Sequence, residues 1–145
     1  MSDLADRIAA REDMRYQENL RLNSEQTRLR AMSSDEWDVF RKAFYDECEL
    51  ISNRSQFTQL ECEDPQECSC VVNRRLLSGH SVLALEFVFD PAIPCIYWQD
   101  HYNKKTRKRI DFAIEQTRVF LVEGGKGFSL RRFVEQRLDA VTRLS

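Results

Sequence analysis

Between residues 33 and 52 the apolar side chains return every three or four positions. Trp37, Phe40, Phe44, Cys48 and Ile51 fall within about 80° of arc when projected at 100° per residue, while Asp38, Arg41, Lys42 and Asp46 lie elsewhere on the wheel. That spacing predicts a helix with one face on the core. Ser33-Ser34-Asp35-Glu36 fits a capping box, with Ser33 accepting from the backbone near Glu36. The core helix is therefore expected to begin at Ser33.

Residues 3–32 carry a sparser stripe. Leu4, Ile8, Met14, Leu22, Leu29 and Met32 share one side of a helix, but Arg11, Arg15, Glu18 and Glu25 interrupt it. Six acids in this stretch match six arginines, and pairs such as Asp3–Arg7 and Glu18–Arg21 support a helix by about 0.2–0.5 kcal/mol each. Such a segment is helical by propensity yet has little to bury. The chain thus divides into a charged helical arm, 1–32, and one domain, 33–145.

After residue 56 the period changes from helical to two. Phe57-Thr58-Gln59-Leu60-Glu61-Cys62 reads as a first strand, closed by Glu63-Asp64-Pro65-Gln66. Cys68 to Leu77 reads as a second, and Ser78-Gly79 as the tight turn after it. His80 to Phe89 is the clearest strand: Leu83, Leu85, Phe87 and Phe89 on one face, Val82, Ala84 and Val88 on the other, with Glu86 the only interruption. Asp90-Pro91-Ala92-Ile93-Pro94 marks a turn or an irregular edge, followed by a short strand at Cys95-Ile96-Tyr97-Trp98. Ile110, Phe112 and Ile114 alternate next, and Val119-Phe120-Leu121-Val122 is either a continuation past a bulge or a separate strand.

A glycine-rich turn, Gly124-Gly125-Lys126-Gly127, leads into a last helix with Ser129 as N-cap. Phe128 and Phe133 stand at staple spacing, and Leu130, Phe133, Val134, Leu138 and Val141 form its apolar face. All glycines and prolines lie at or after Pro65, which separates a helical first part from a turn-rich second. The order is arm, core helix, about five or six antiparallel strands, helix. The fold class is α+β, an antiparallel meander with a C-terminal helix packed on it.

Composition adds limits rather than direction. The 145 residues suit one domain, and 32% charged residues exceed the average, in keeping with a polar arm around an ordinary core. The formal charge of −2 offers no global reason for nucleic-acid or membrane binding. The charged opening Met1-Ser2-Asp3-Leu4-Ala5-Asp6-Arg7 predicts no signal peptide, and no apolar run approaches the ~20 residues of a membrane span. A soluble, cytoplasmic protein with no membrane contact is the expectation. Five cysteines without a CxxC pair read as free thiols in a reducing compartment.

Three segments carry candidate chemistry. Cys62, Cys68 and Cys70, with Cys48, His80 or His101 as further donors, lack the knuckle spacing of structural zinc sites. They read as small apolar residues, with no metal and no cofactor expected. The segment 97–109 sets Tyr97, Trp98, His101 and Tyr102 beside Lys104, Lys105, Arg107, Lys108 and Arg109. Cations neutralise phosphates and aromatic faces stack bases, so this stretch is the candidate ligand or nucleic-acid site. The glycine-rich turn at a helix start resembles an anion cradle but matches neither phosphate-loop nor dinucleotide order. It reads as a strand-to-helix connection.

No nucleophile setting is recognisable around His80 or His101, so the chain reads as non-enzymatic. The leading expectation is a protein–protein interaction or adaptor module, self-associating or binding a protein partner through an arm built on Leu4, Ile8, Met14, Leu22 and Leu29. The alternative is a nucleic-acid or phosphate-ligand binder using 97–109. A small enzyme with a Cys or His centre comes third.

Overall fold

The structure, a computed structural model, describes residues 2–102 and 107–143. The chain is α+β: a long N-terminal helix, seven antiparallel strands in one open sheet, and a C-terminal helix packed on that sheet. The helix α1 runs without a break from Ser2 to Arg54, 53 residues and about 80 Å at 1.5 Å per residue. The expected start at Ser33 is corrected here. With no glycine or proline before Pro65, nothing interrupts the backbone ladder. Ser33 is wholly buried and donates its hydroxyl to the Arg30 carbonyl at 2.9 Å. A serine inside a helix bonds back one turn in this way, so the capping-box letters serve a continuous helix.

The strands are β1 (Gln59–Glu63), β2 (Ser69–Arg75), β3 (Ser81–Asp90), β4 (Cys95–Asp100), β5 (Lys108–Glu115), β6 (Arg118–Glu123) and β7 (Lys126–Gly127). They lie in the sheet in chain order, each antiparallel to the next. The two readings of 109–123 resolve as two strands, joined by a turn in which Gln116 has φ 59°. Helix α2 spans Leu130–Thr142, and Ser129 caps it by accepting from the Arg132 N–H. The predicted staple is present, with the Phe128 and Phe133 ring centroids 5.1 Å apart.

Both helices cover one face of the sheet. Phe40, Phe44 and Cys48 of α1 and Phe133, Leu138 and Val141 of α2 are buried against Val72, Leu85, Phe87, Ile96, Trp98 and Ile110. Phe87 is the hub: its ring lies 4.6 Å from Phe44, 5.1 Å from Phe40, 6.3 Å from Trp98 and 6.5 Å from Phe133. Offset and edge-on ring pairs of this kind add about 0.5–1.5 kcal/mol each beyond their buried area. At the end of α1 the Ser52 hydroxyl donates to the Leu60 carbonyl and accepts from the Leu60 N–H. Those two bonds fix the angle at which β1 leaves the helix.

The alternation predicted along β3 holds from Phe89 to Leu85 and then changes phase. Val72 pairs with Leu85, but Asn73 pairs with Leu83 and Arg74 with Val82. Ala84 is thus the extra residue of a bulge. Beyond it Val82 joins the face of Arg74, whose guanidinium donates to the Val141 carbonyl of α2 at 2.9 Å. Leu83 and Val82 therefore sit on the faces opposite to those their spacing predicts.

Among the described residues the first bond from α1 to the body is made by Arg28. Arg28 donates to the Gln116 carbonyl, Arg30 donates to the Ala92 carbonyl, and Leu29 packs on the core. Residues 3–28 are all exposed. No helix of the described residues is long and apolar enough to cross a membrane.

Candidate functional site

Three places combine concavity, charge or reactive groups: the α2 cleft, the thiol cluster and the base of the arm. A concavity of about 770 Å³ lies between α2 and the last four strands. Its sheet side follows from register. Trp98 on β4 pairs with Lys108 on β5, and Glu123 on β6 pairs with Lys126 on β7. All four side chains project on the helix-covered face, and Gly127, Phe128 and Ser129 close one end. The other wall is α2, through Arg132, Phe133, Gln136 and Arg137.

Charge in this cleft is unbalanced: Lys108, Lys126, Arg132 and Arg137 face a single carboxylate, Glu123. Glu123 is already engaged, accepting from the Trp98 indole N–H at 2.8 Å. The Lys108 ammonium sits 4.8 Å from the Trp98 ring centre and the Arg137 guanidinium 5.3 Å from it. Arg137 also lies 5.7 Å from the Phe133 ring, one helical turn away on the same face. Its Nε is buried without a hydrogen-bond partner. Among the described residues none of the four cations forms an ion pair. Asp100, 4% exposed, is near Tyr102, and neither lines the cleft. Burial and then the Asp100 charge push the Tyr102 phenol up, and Arg137 opposes them.

The structure splits the segment 97–109. Tyr97 and Trp98 are consecutive in a strand and point to opposite faces. Tyr97 is half-buried under the Arg107 guanidinium, 5.1 Å from its ring centre, whereas Trp98 is 1% exposed in the core. Arg109 is held by Asp111 at 2.7 Å, an acid just beyond the predicted segment. His101 is exposed in the turn after β4 and Tyr102 packs on the core edge. Lys104 and Lys105 lie outside the described residues. These aromatics do not share one stacking surface. What joins Trp98 and Lys108 to other cations is the cleft, and Lys126, Arg132 and Arg137 were not singled out by spacing.

The cysteines form a cluster of three rather than the predicted set. Cys62 and Cys70 have their sulfurs 3.5 Å apart, and Cys48 reaches Cys62 from α1. Accepting from Cys48 and Cys70 holds the Cys62 thiol below the ordinary range. Donating to Cys62, together with burial, pushes Cys48 and Cys70 up. Cys68 packs on the core edge outside this cluster. Among the described residues no group of three or more His, Cys, Asp or Glu side chains is arranged to hold a metal ion. His80 and His101 are both exposed.

At the base of the arm a groove of about 540 Å³ is lined by Leu22, Glu25, Gln26, Arg28, Leu29, Ile114 and Gln116. It opens on the side of α1 that faces the sheet further along. Leu4, Ile8 and Leu22 lie on the same side of the helix as Phe40 and Phe44 when projected at about 100° per residue. Met14 lies at the margin of this stripe and is 72% exposed.

Comparison with known proteins gives no relative: the chain matches no family model, no curated protein and no solved structure.

Proposed function

We propose that the chain is a non-enzymatic protein–protein interaction module that self-associates through its N-terminal arm. The observation that carries this reading is the exposure of Leu4 (58%), Ile8 (42%) and Leu22 (48%) on the stretch of α1 that precedes its first bond to the body, made by Arg28. Ordering backbone costs about 1–2 kcal/mol per residue, and most helical stability in proteins comes from packing an apolar face. Covering the stripe supplies what the arm lacks.

The occupant that fits is a second copy, antiparallel. In heptad notation Ile8, Arg15, Leu22 and Leu29 take a positions and Leu4, Arg11, Glu18 and Glu25 take d positions. An antiparallel pair sets a against d. Leu29 then meets Leu4 of the second copy, and Arg15 meets Glu18 of the second copy, twice by symmetry. Leu22 meets Arg11 and Ile8 meets Glu25, whose aliphatic stems can cover apolar neighbours. Two such helices pack 8–10 Å apart. Each tip ends in the groove beside Leu29 and Ile114, so the arm's length matches its partner's. A parallel pair would instead set Arg15 on Arg15 and Glu18 on Glu18.

Sedimentation of the full chain at micromolar concentration tests the reading. A dimer is expected, becoming a monomer on removal of residues 1–27 and weakening with Leu22→Glu. Arg15→Glu alone should weaken it, and adding Glu18→Arg should restore it. A full chain that stays monomeric throughout would sink the reading.

A further inference from the structure

Among the described residues the four cations of the α2 cleft form no ion pair and face one carboxylate. Glu123 supplies one negative charge and already accepts the Trp98 N–H. Several exposed cations elsewhere are ion-paired, Arg21 with Glu18, Arg75 with Glu61, Arg131 with Glu135 and Arg143 with Asp139. What sets the cleft apart is the gathering of four cations around one carboxylate in a chain whose net charge is −2.

The geometry points to a binding site for a small phosphate-bearing polyanion, held between Lys108 and Lys126 on the sheet and Arg132 and Arg137 on α2. Size, charge and shape agree on this class. The volume of about 770 Å³ is that of a small-molecule pocket. Four cations against one carboxylate favour a ligand with more than one negative charge. Guanidinium forks match phosphate oxygens, and lysines add point charge. Arg137 is placed for this: its ring contacts with Trp98 and Phe133 orient the guanidinium plane. The Arg132 backbone N–H is taken by Ser129 at 3.4 Å, so its side chain and not the helix end contributes here.

Nucleic acid is the less favoured occupant. Trp98 is 1% exposed and Phe133 8% exposed, so neither offers a face to a base. The cations also converge on a cleft instead of tracking a backbone along the surface. The site is independent of the arm, and its failure leaves the self-association reading where it stands.

Calorimetric titration of the full chain with inorganic pyrophosphate at low salt tests the assignment. One saturable site per chain is expected, weakening as salt is raised. In Lys108→Gln/Arg137→Gln the affinity should fall at least about tenfold, because charge-assisted bonds are the strong ones. Arg132→Gln, on an exposed position, gives a second reading if the double variant does not fold. Arg7→Gln/Arg21→Gln removes the same charge from the arm and should change nothing. No saturable heat, or affinity unchanged in the cleft variants, would overturn the proposal. Citrate binding as tightly as pyrophosphate would overturn the phosphate assignment. Tighter binding of single-stranded DNA than of pyrophosphate would overturn the small-molecule one.

Discussion

The Trp98 indole N–H, on β4, donates to the Glu123 carboxylate, on β6, at 2.8 Å, passing over the strand between them. Trp98 is almost wholly buried, and this bond is what satisfies its one polar atom. Replacing Glu123 with Ala leaves that donor without its partner, which costs about 1–3 kcal/mol. Glu123→Gln keeps an acceptor oxygen in place and should lose less than half as much. Urea midpoints of the two variants measure the difference. The glutamine also removes the cleft's one carboxylate, so pyrophosphate should bind Glu123→Gln more tightly than the parent chain.

Much of the scaffold around this pair was legible in the sequence, for reasons that can be named. The Trp37-to-Ile51 face and the period-two run through Phe87 are long, and each repeats one geometry. The Ser129 cap and the Phe128–Phe133 staple are local, so they need no knowledge of the rest of the chain. Ser33 misled because a capping box and a mid-helix serine share the same letters, and only the missing Gly or Pro separates them. The Ala84 bulge is set by pairing with β2, which spacing within β3 does not carry. The cleft was half legible. Trp98 and Lys108 fell in a segment already marked for its chemistry, but Lys126 arrives by a hairpin and Arg132 and Arg137 by a helix. Their convergence is a property of the fold.

Phe40 and Val39 are neighbours in sequence with opposite environments: Phe40 is 0% exposed within the aromatic cluster and Val39 is 52% exposed. Phe40→Ala removes contacts to Trp37, Phe44, Phe87 and Phe133 at once. A loss of about 3–5 kcal/mol is expected, the range for large-to-small core changes. Val39→Ala should stay within about 0.5 kcal/mol. Chemical denaturation with unchanged m-values would make the comparison clean. A similar loss for both would mean that α1 does not present the face described.

Of the three clustered thiols, Cys62 is the one whose thiolate its neighbours favour. Its sulfur accepts from Cys48 and Cys70, which stabilises the thiolate and holds it below the ordinary thiol range. It is also only half-buried, whereas Cys48, Cys70 and Cys95 are buried. Alkylation followed by peptide mapping should find Cys62 modified before those three. The sign of the pH dependence follows from the direction of the shift. As pH falls from about 8 to 6 an ordinary thiol loses its thiolate about tenfold per unit, while Cys62 keeps more of its own. Labelling of Cys62 relative to added glutathione should therefore rise towards lower pH. A constant ratio would show that the cluster does not tune this sulfur.

The two hairpin turns flanking β6 make the same demand, a positive φ, on residues of different kinds. Gly124 and Gly125 join β6 to β7 with φ of 61° and 81°, a two-residue turn that glycine fits and whose twist suits the strands. A Cβ at either position meets open space, so any penalty is in the backbone alone. Gly125→Ala should cost about 1–2 kcal/mol, the left-handed penalty for an L-residue. The turn between β5 and β6 places Gln116, a residue with a Cβ, at φ 59°. There the substitution runs the other way, and Gln116→Gly should gain up to about 1 kcal/mol once the extra chain entropy of glycine is deducted. The Arg28 bond to residue 116 uses the backbone carbonyl and survives the change, so the arm's base is undisturbed. Thermal unfolding of the two variants, one below and one above the parent, checks both signs together.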